Sequence, residues 1–313
     1  MMQVLHGLNG NEVQHRRLPE PNAELLPGIR WGSSEYLFTP AFWAAYSWQC
    51  LLAGQLPDRH RLGSTLREEV AACMLGGYGI PAEVGLAAYN RLRDFNLLNR
   101  RAAELEMREA LLAPLSINGR SVRYRFARQK AAYLAEALSI LDGAARLEEL
   151  TDIELRNWLT VLPGVGLKTA SWITRNYRDS DHVAIVDIHV FRAGCLAGIF
   201  PPSMAIERNY LDLERKFVAF AEAINVRPSQ LDALIWDFMK RVGSLAISAF
   251  HEFERKAPCR PPRRAASRLP DHQRLRHRSR RDDPGASAAA IAADPPLYPR
   301  GRMTSSKLRR QSP

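Results

Sequence analysis

Apolar residues recur three and four positions apart through most of the first 256 residues, so the chain predicts one helix after another. Thr39 followed by Pro40 supplies an N-cap and a proline at the first helical position. They open a helix over 41–53 in which Phe42, Tyr46, Gln49 and Ala53 recur at helical spacing. Thr65 with Glu68 has the form of a capping box ahead of 70–75, and Gly76-Gly77-Tyr78-Gly79 stops that helix. Pro81 starts a helix to about Asp94, and another spans 101–112. Residues 126–141 carry Tyr133, Leu134, Ala137, Leu138 and Leu141 on one face. Thr151 and Glu154 form a second capping box that opens a helix over 153–161. Further helices are predicted over 166–177, 187–196, 207–224 and 229–242. Between 114 and 125 the helical period lapses, and Asn118-Gly119 predicts a hairpin turn in a small β element. Residues 183–186 read as a short extended approach to Asp187. No tandem repeat is present. The expected class is all-α.

The 313 residues can build one large core or two modest ones. With 46% hydrophobic residues, the chain is globular over most of its length. No apolar run approaches the ~20 residues that span a bilayer, and residues 1–20 lack the apolar centre of a signal peptide. A cytoplasmic, nucleoid-associated monomer with no membrane contact is the expectation. Cys50, Cys73, Cys195 and Cys259 are scattered with no C-x-x-C pair, which argues for buried thiols and against a zinc site or iron–sulfur cluster. The net charge is +11, but residues 257–313 hold 14 Arg/Lys against 4 Asp/Glu. The basic character therefore belongs to the tail and says little about the folded part. The division expected is an N-terminal extension (1–36), a helical domain of two lobes (37–256) and a disordered basic tail (257–313). That tail is either a dispensable extension or a source of nonspecific DNA affinity through counterion release.

The most informative stretch is Leu162-Pro163-Gly164-Val165-Gly166-Leu167-Lys168-Thr169-Ala170. A helix that ends in this turn, with the next helix starting at once, offers several backbone N–H groups at a helix N-terminus. Such groups and the helix dipole favour an anion. Glycine lets the backbone approach a phosphate closely. Pro163, Gly164, Val165, Gly166 and Thr169 are the expected DNA contacts. Lys168 lies just inside the second helix, and Val186-Asp187-Ile188-His189 follows about one helix later.

This arrangement resembles the helix-hairpin-helix DNA glycosylase superfamily, specifically across 162–192 and plausibly over 38–242. The resemblance implies a two-lobed helical fold that binds duplex DNA with the damaged base flipped into a pocket. It also implies that a lysine at position 168 marks a bifunctional glycosylase/lyase, with Lys168 as nucleophile and Asp187 as its catalytic carboxylate. The amine must be neutral to attack, and the positive end of a helix disfavours its charged form. Asp187 is also suited to capping the helix it opens. By the same resemblance, Trp172 packs on the flipped base, while Asp232 and Trp236 of a late helix read and stack it. Gln49 either contacts that base or fills the gap left in the opposite strand. Arg125, Arg128 and Lys130 meet phosphates or form a solvated face. Hairpin carbonyls of Thr160, Leu162 and Val165 are expected to hold a monovalent cation, with no other cofactor. Without the cysteine cluster of endonuclease III-like enzymes, the likeness leans to 8-oxoguanine glycosylases. The mostly helical beginning leans to compact forms without a large N-terminal β domain. An oxidised-pyrimidine glycosylase and a noncatalytic DNA-binding module remain the alternatives.

Overall fold

Two separate hydrophobic cores organise the described residues, and the first and last of their elements share one of them. The structure is a computed structural model that describes residues 1–56, 60–77, 79–98, 103–201 and 203–256. It begins with two antiparallel hairpins, β1 (Gln3–Asn9) with β2 (Glu12–Leu18) and β3 (Glu24–Leu26) with β4 (Ile29–Arg30). Helix α1 (Pro40–Leu52) follows. The first core is then built from α2 (Leu66–Leu75), α3 (Ala82–Asp94), α4 (Glu104–Leu112), the hairpin β5 (Leu115–Ile117) with β6 (Arg120–Val122), α5 (Ala127–Gly143), α6 (Asp152–Leu159) and α7 (Leu167–Arg178). Helices α8 (Ile188–Leu196), α9 (Ile206–Ala223) and α10 (Pro228–Lys256) return to α1 and close the second core.

Local chemistry accounts for most element boundaries. The Thr39 hydroxyl accepts the Phe42 N–H at 3.1 Å with Pro40 at the first position of α1. At α6 the capping box is complete: Thr151 accepts the Glu154 N–H at 3.3 Å, and the Glu154 carboxylate accepts the Thr151 N–H at 2.8 Å. At α2 only half of it forms. Thr65 caps the Glu68 N–H, while the Glu68 carboxylate takes the N–H of Ser64 instead. Asn118 and Gly119 adopt φ of 50° and 74°, the pair of positive angles that a two-residue hairpin turn requires.

Two expectations need correction. The beginning is not mostly helical, because residues 1–36 hold four short strands. Within these residues, expected as an N-terminal extension, Leu5, Leu18 and Trp31 are buried in the second core. The β1–β2 hairpin lies flat on α1, so closely that a Cβ at Gly7 would come within 2.6 Å of Leu52. The last helix also continues past 242. Gly243 breaks its geometry at φ 42°, as a C-terminal glycine would, but Ala246 and Phe250 re-enter the second core and the helix resumes. The basic tail lies outside the described residues, as do Cys259 and Tyr78 of the α2 stop signal.

Candidate active site

The turn from α6 to α7 is held by its own backbone and by two anchors. Val161 N–H bonds Trp158 C=O at 2.9 Å, Leu162 N–H bonds Leu159 C=O at 3.1 Å, and Val165 N–H bonds Leu162 C=O at 3.1 Å. The Leu162 and Val165 side chains are buried in the first core, while Gly164 between them and Gly166 after them are exposed. Gly164 sits at φ +77°, and a Cβ there would lie 2.5 Å from the Tyr133 ring of α5. Both facts restrict the position to glycine. Gly166 caps α7 with no side chain, and the N–H groups of Leu167, Lys168 and Thr169 meet no acceptor among the described residues. The hairpin thus presents three free donors at a positive helix end, where an anion is favoured.

Lys168 occupies the first turn of α7 and is half-buried. Lys130 of α5 is close enough to feel it. Burial, and then the Lys168 charge, lowers the Lys130 ammonium below its ordinary pKa. One turn beyond Lys168, the Trp172 ring packs on the backbone that ends α2, where a Cβ on Gly76 would sit 3.0 Å from it.

Asp187 belongs to the second core's side. Its Oδ1 accepts the N–H groups of His189 (2.8 Å) and Val190 (2.9 Å), so it does cap α8. Its Oδ2 takes no hydrogen bond among the described residues. One oxygen fixes the carboxylate while the other stays available, and a single residue can serve both roles. His189 follows, its pKa lowered by burial and by the Arg192 and Lys240 charges despite the opposing pull of Asp187. The Trp236 ring meets the His189 ring edge-on at 6.4 Å, with the Lys240 ammonium 5.2 Å from the Trp236 centroid. Trp236 is half-buried, so part of its surface stays open rather than sealed in the core.

Asp232 is where the sequence misleads. It is 1% exposed and spent on the protein itself. Oδ1 bonds the Arg175 guanidinium at 2.6 Å and Oδ2 accepts the Ile185 N–H at 2.9 Å. Both of its oxygens are thus engaged by the protein, where the sequence predicts an acceptor for the base. Gln49 lies exposed on α1 and makes no hydrogen bond with Lys168, Asp187, Trp172 or Trp236. The carbonyls of Thr160 and Val165 accept no hydrogen bond among the described residues, and that of Leu162 accepts one. A buried pair missed by the sequence reading, Arg156 with Glu214, sits behind the site. Its members are 58 positions apart, and no local spacing could flag them.

The family model of 8-oxoguanine DNA glycosylase matches residues 59–226. The 8-oxoguanine DNA glycosylase/AP lyase of Metallosphaera sedula is 31% identical over 116 residues, 36% of this chain and 57% of that protein. The enzyme of the same description from Methanocaldococcus jannaschii is 28% identical over 121 residues, 37% of this chain and 58% of that protein. The chain thus spans little more than half the length of the curated relatives it matches. Among solved structures, the 8-oxoguanine DNA glycosylase of Thermotoga maritima aligns with a TM-score of 0.45 and 24% identity, over 56% of this chain and 79% of that one.

Proposed function

The chain belongs to the 8-oxoguanine DNA glycosylase family, and from that premise we propose that it excises 8-oxoguanine from duplex DNA and then nicks the strand. Two observations support this: an amine in the first turn of α7 beside three free hairpin N–H groups, and, at the start of α8, a carboxylate that keeps one oxygen unbonded.

The hairpin grips a phosphate 3′ to the lesion through the Leu167, Lys168 and Thr169 N–H groups, reading backbone shape and not sequence. The carbonyls of Thr160, Leu162 and Val165 suit a monovalent cation at the same turn. The damaged nucleotide swings out of the stack into the cleft. Trp172 of α7 and Trp236 of α10 offer it aromatic faces, with Lys240 moving off the Trp236 ring.

Asp187 Oδ2 takes a proton from the Lys168 ammonium. The free amine attacks C1′, so the Nζ–C1′ bond forms as the C1′–N9 bond breaks, and the base leaves with the proton that Asp187 hands on to N9, which returns Asp187 to its carboxylate form. The Asp187 carboxylate stabilises the positive charge that builds on the sugar. Ring opening gives a protonated Schiff base at C1′. Loss of a C2′ proton expels the 3′ phosphate by β-elimination, and water hydrolyses the Schiff base to free Lys168. The working unit is a monomer on double-stranded DNA. Among the described residues no helix is long and apolar enough to cross a membrane.

The test combines borohydride trapping with a substrate panel. Wild-type protein should form a covalent adduct with a duplex carrying 8-oxoguanine, and Lys168→Gln should not. Duplexes carrying thymine glycol, uracil and a bare abasic site complete the panel. Nicking of the thymine glycol duplex alone would replace the purine by a pyrimidine substrate. Binding with neither trapping nor nicking would leave a noncatalytic DNA-binding module.

A further inference from the structure

Lys168 and Asp187 are rooted in different cores, yet the chemistry needs them at one fixed separation. Residues 183–186 are the strap that carries the chain from α7 to Asp187. Two buried ion pairs flank that strap, and each joins an arginine of the first core's helices to a carboxylate of the second's. Arg156 of α6 pairs with Glu214 of α9, and Arg175 of α7 pairs with Asp232 of α10. Resting on the function proposed above, we propose that Glu214 and Asp232 are positioning residues. Held by these arginines, their carboxylates grip the strap and fix where Asp187 stands relative to Lys168.

The hydrogen bonds run to the strap one residue at a time. Glu214 Oε1 accepts the Ala184 N–H at 3.3 Å and the Ser171 hydroxyl at 2.5 Å. Ser171 lies three residues after Lys168, and Ala184 three before Asp187, so one carboxylate oxygen links the two catalytic neighbourhoods. Asp232 Oδ2 accepts the next N–H, that of Ile185. Tyr210 of α9 finishes the set. Its hydroxyl donates to the Ala184 carbonyl at 2.9 Å and accepts the Val186 N–H at 3.4 Å. Behind Arg175 the network continues through Asn176 to Glu69 of α2, whose other oxygen takes the Leu62 and Gly63 N–H groups. Arg175 therefore cannot swing without disturbing the first core.

Stability is a poor reason for this arrangement. Glu214 is 2% exposed and Asp232 is 1% exposed. Removing charges from water costs as much as their attraction returns, and apolar residues of the same volume often serve better. What apolar residues cannot do is hold the two consecutive backbone N–H groups of Ala184 and Ile185 at set positions. Burial pushes the Asp232 carboxyl up to about 6, and the Asp187 charge pushes it the same way, so Asp232 lies within the field of Asp187.

Tyr210→Phe, Glu214→Gln and Asp232→Asn test the proposal with two readouts. Single-turnover base release from an 8-oxoguanine duplex reports the alignment of the catalytic pair. The Kd for a duplex with a tetrahydrofuran abasic analogue reports the intact hairpin. We expect Tyr210→Phe to slow base release about tenfold and the two carboxylate variants about a hundredfold, the scale of a 1 Å misplacement. The Kd should stay within about threefold of wild type, because the hairpin donors are untouched. Folded variants that release base at the wild-type rate overturn the proposal. So do variants whose rate and affinity fall in step, the signature of a loosened fold. If the carboxylate variants do not fold, Tyr210→Phe decides alone, since it alters no charge. A wild type that neither releases base nor traps with borohydride overturns the proposed function, and the clamp with it. Slow variants that keep the wild-type Kd, beside an active wild type, uphold both.

Discussion

Gly164 carries two constraints at once. Its left-handed backbone costs any other residue about 1–2 kcal/mol, and the Tyr133 ring fills the space a side chain would need. Gly164→Ala should therefore destabilise the protein by about 2–4 kcal/mol once crowding is added, read as a lowered urea midpoint. Affinity for an abasic-analogue duplex should fall with it. An unchanged midpoint would mean the turn is free to reshape. His60 sets a pH dependence. Burial, reinforced by the Arg175 and Arg227 charges, lowers its pKa from 6.5 to about 3. The folded state thus holds it neutral, and its contribution is complete above pH 6.5 and lost as pH falls towards 3. The slope is about 1.4 kcal/mol per pH unit, or roughly 2 kcal/mol by pH 5. Urea unfolding at pH 7 and pH 5 should show this loss in wild type, and His60→Gln should flatten it. At this scale the sequence was legible where the chemistry is local. The Gly164 turn, the start of α7 and the Asp187 cap were readable because the determinants of each lie within a few residues. Asp232 was not. Its partner Arg175 is 57 positions away, and nothing in Leu231-Asp232-Ala233 distinguishes a carboxylate that meets a ligand from one that meets an arginine.

The elements divide along the same line. Helices with caps and clean periodicity, such as α6 between Thr151 and Thr160, were readable because their determinants are contiguous. The β1–β2 hairpin was not, because its apolar residues sit on both faces. Leu5 and Leu18 point into the second core, while Val4, Leu8 and Val13 are exposed on the other side. A strand with apolar residues on both faces lacks the alternation that marks a half-buried sheet. Its two faces should respond differently to substitution. Leu5→Ala should cost about 2–5 kcal/mol, as buried leucines do. Leu8→Thr and Val13→Thr should stay within about 0.5 kcal/mol, as surface changes do. Equal losses at Leu5 and Leu8 in chemical denaturation would mean that the outer face is covered too.

For the whole molecule, the order of the chain explains why an N-terminal segment with no catalytic residue still matters. The first core is continuous in sequence, from α2 to α7, and holds the hairpin and Lys168. The second is discontinuous, assembled from residues before 46 and after 183, and it presents Asp187. No periodicity within either segment could reveal that they meet, because the pairing of β1, β2 and α1 with α8 to α10 is purely long-range. Deleting residues 1–36 removes Leu5, Leu18 and Trp31 from that core. At about 1.5–3 kcal/mol for each fully buried side chain, the loss is roughly 6 kcal/mol, against a typical total of about 5–15 kcal/mol. The truncated protein should then keep α2 to α7 better than α8 to α10. Amide hydrogen exchange should show protection lost across 188–250 and retained across 70–173. Borohydride trapping should disappear, although the truncation leaves Lys168 and its hairpin in place. A truncated chain that traps at the wild-type yield would show that Asp187 is held without the N-terminal strands, leaving the clamps on the strap to orient it unaided.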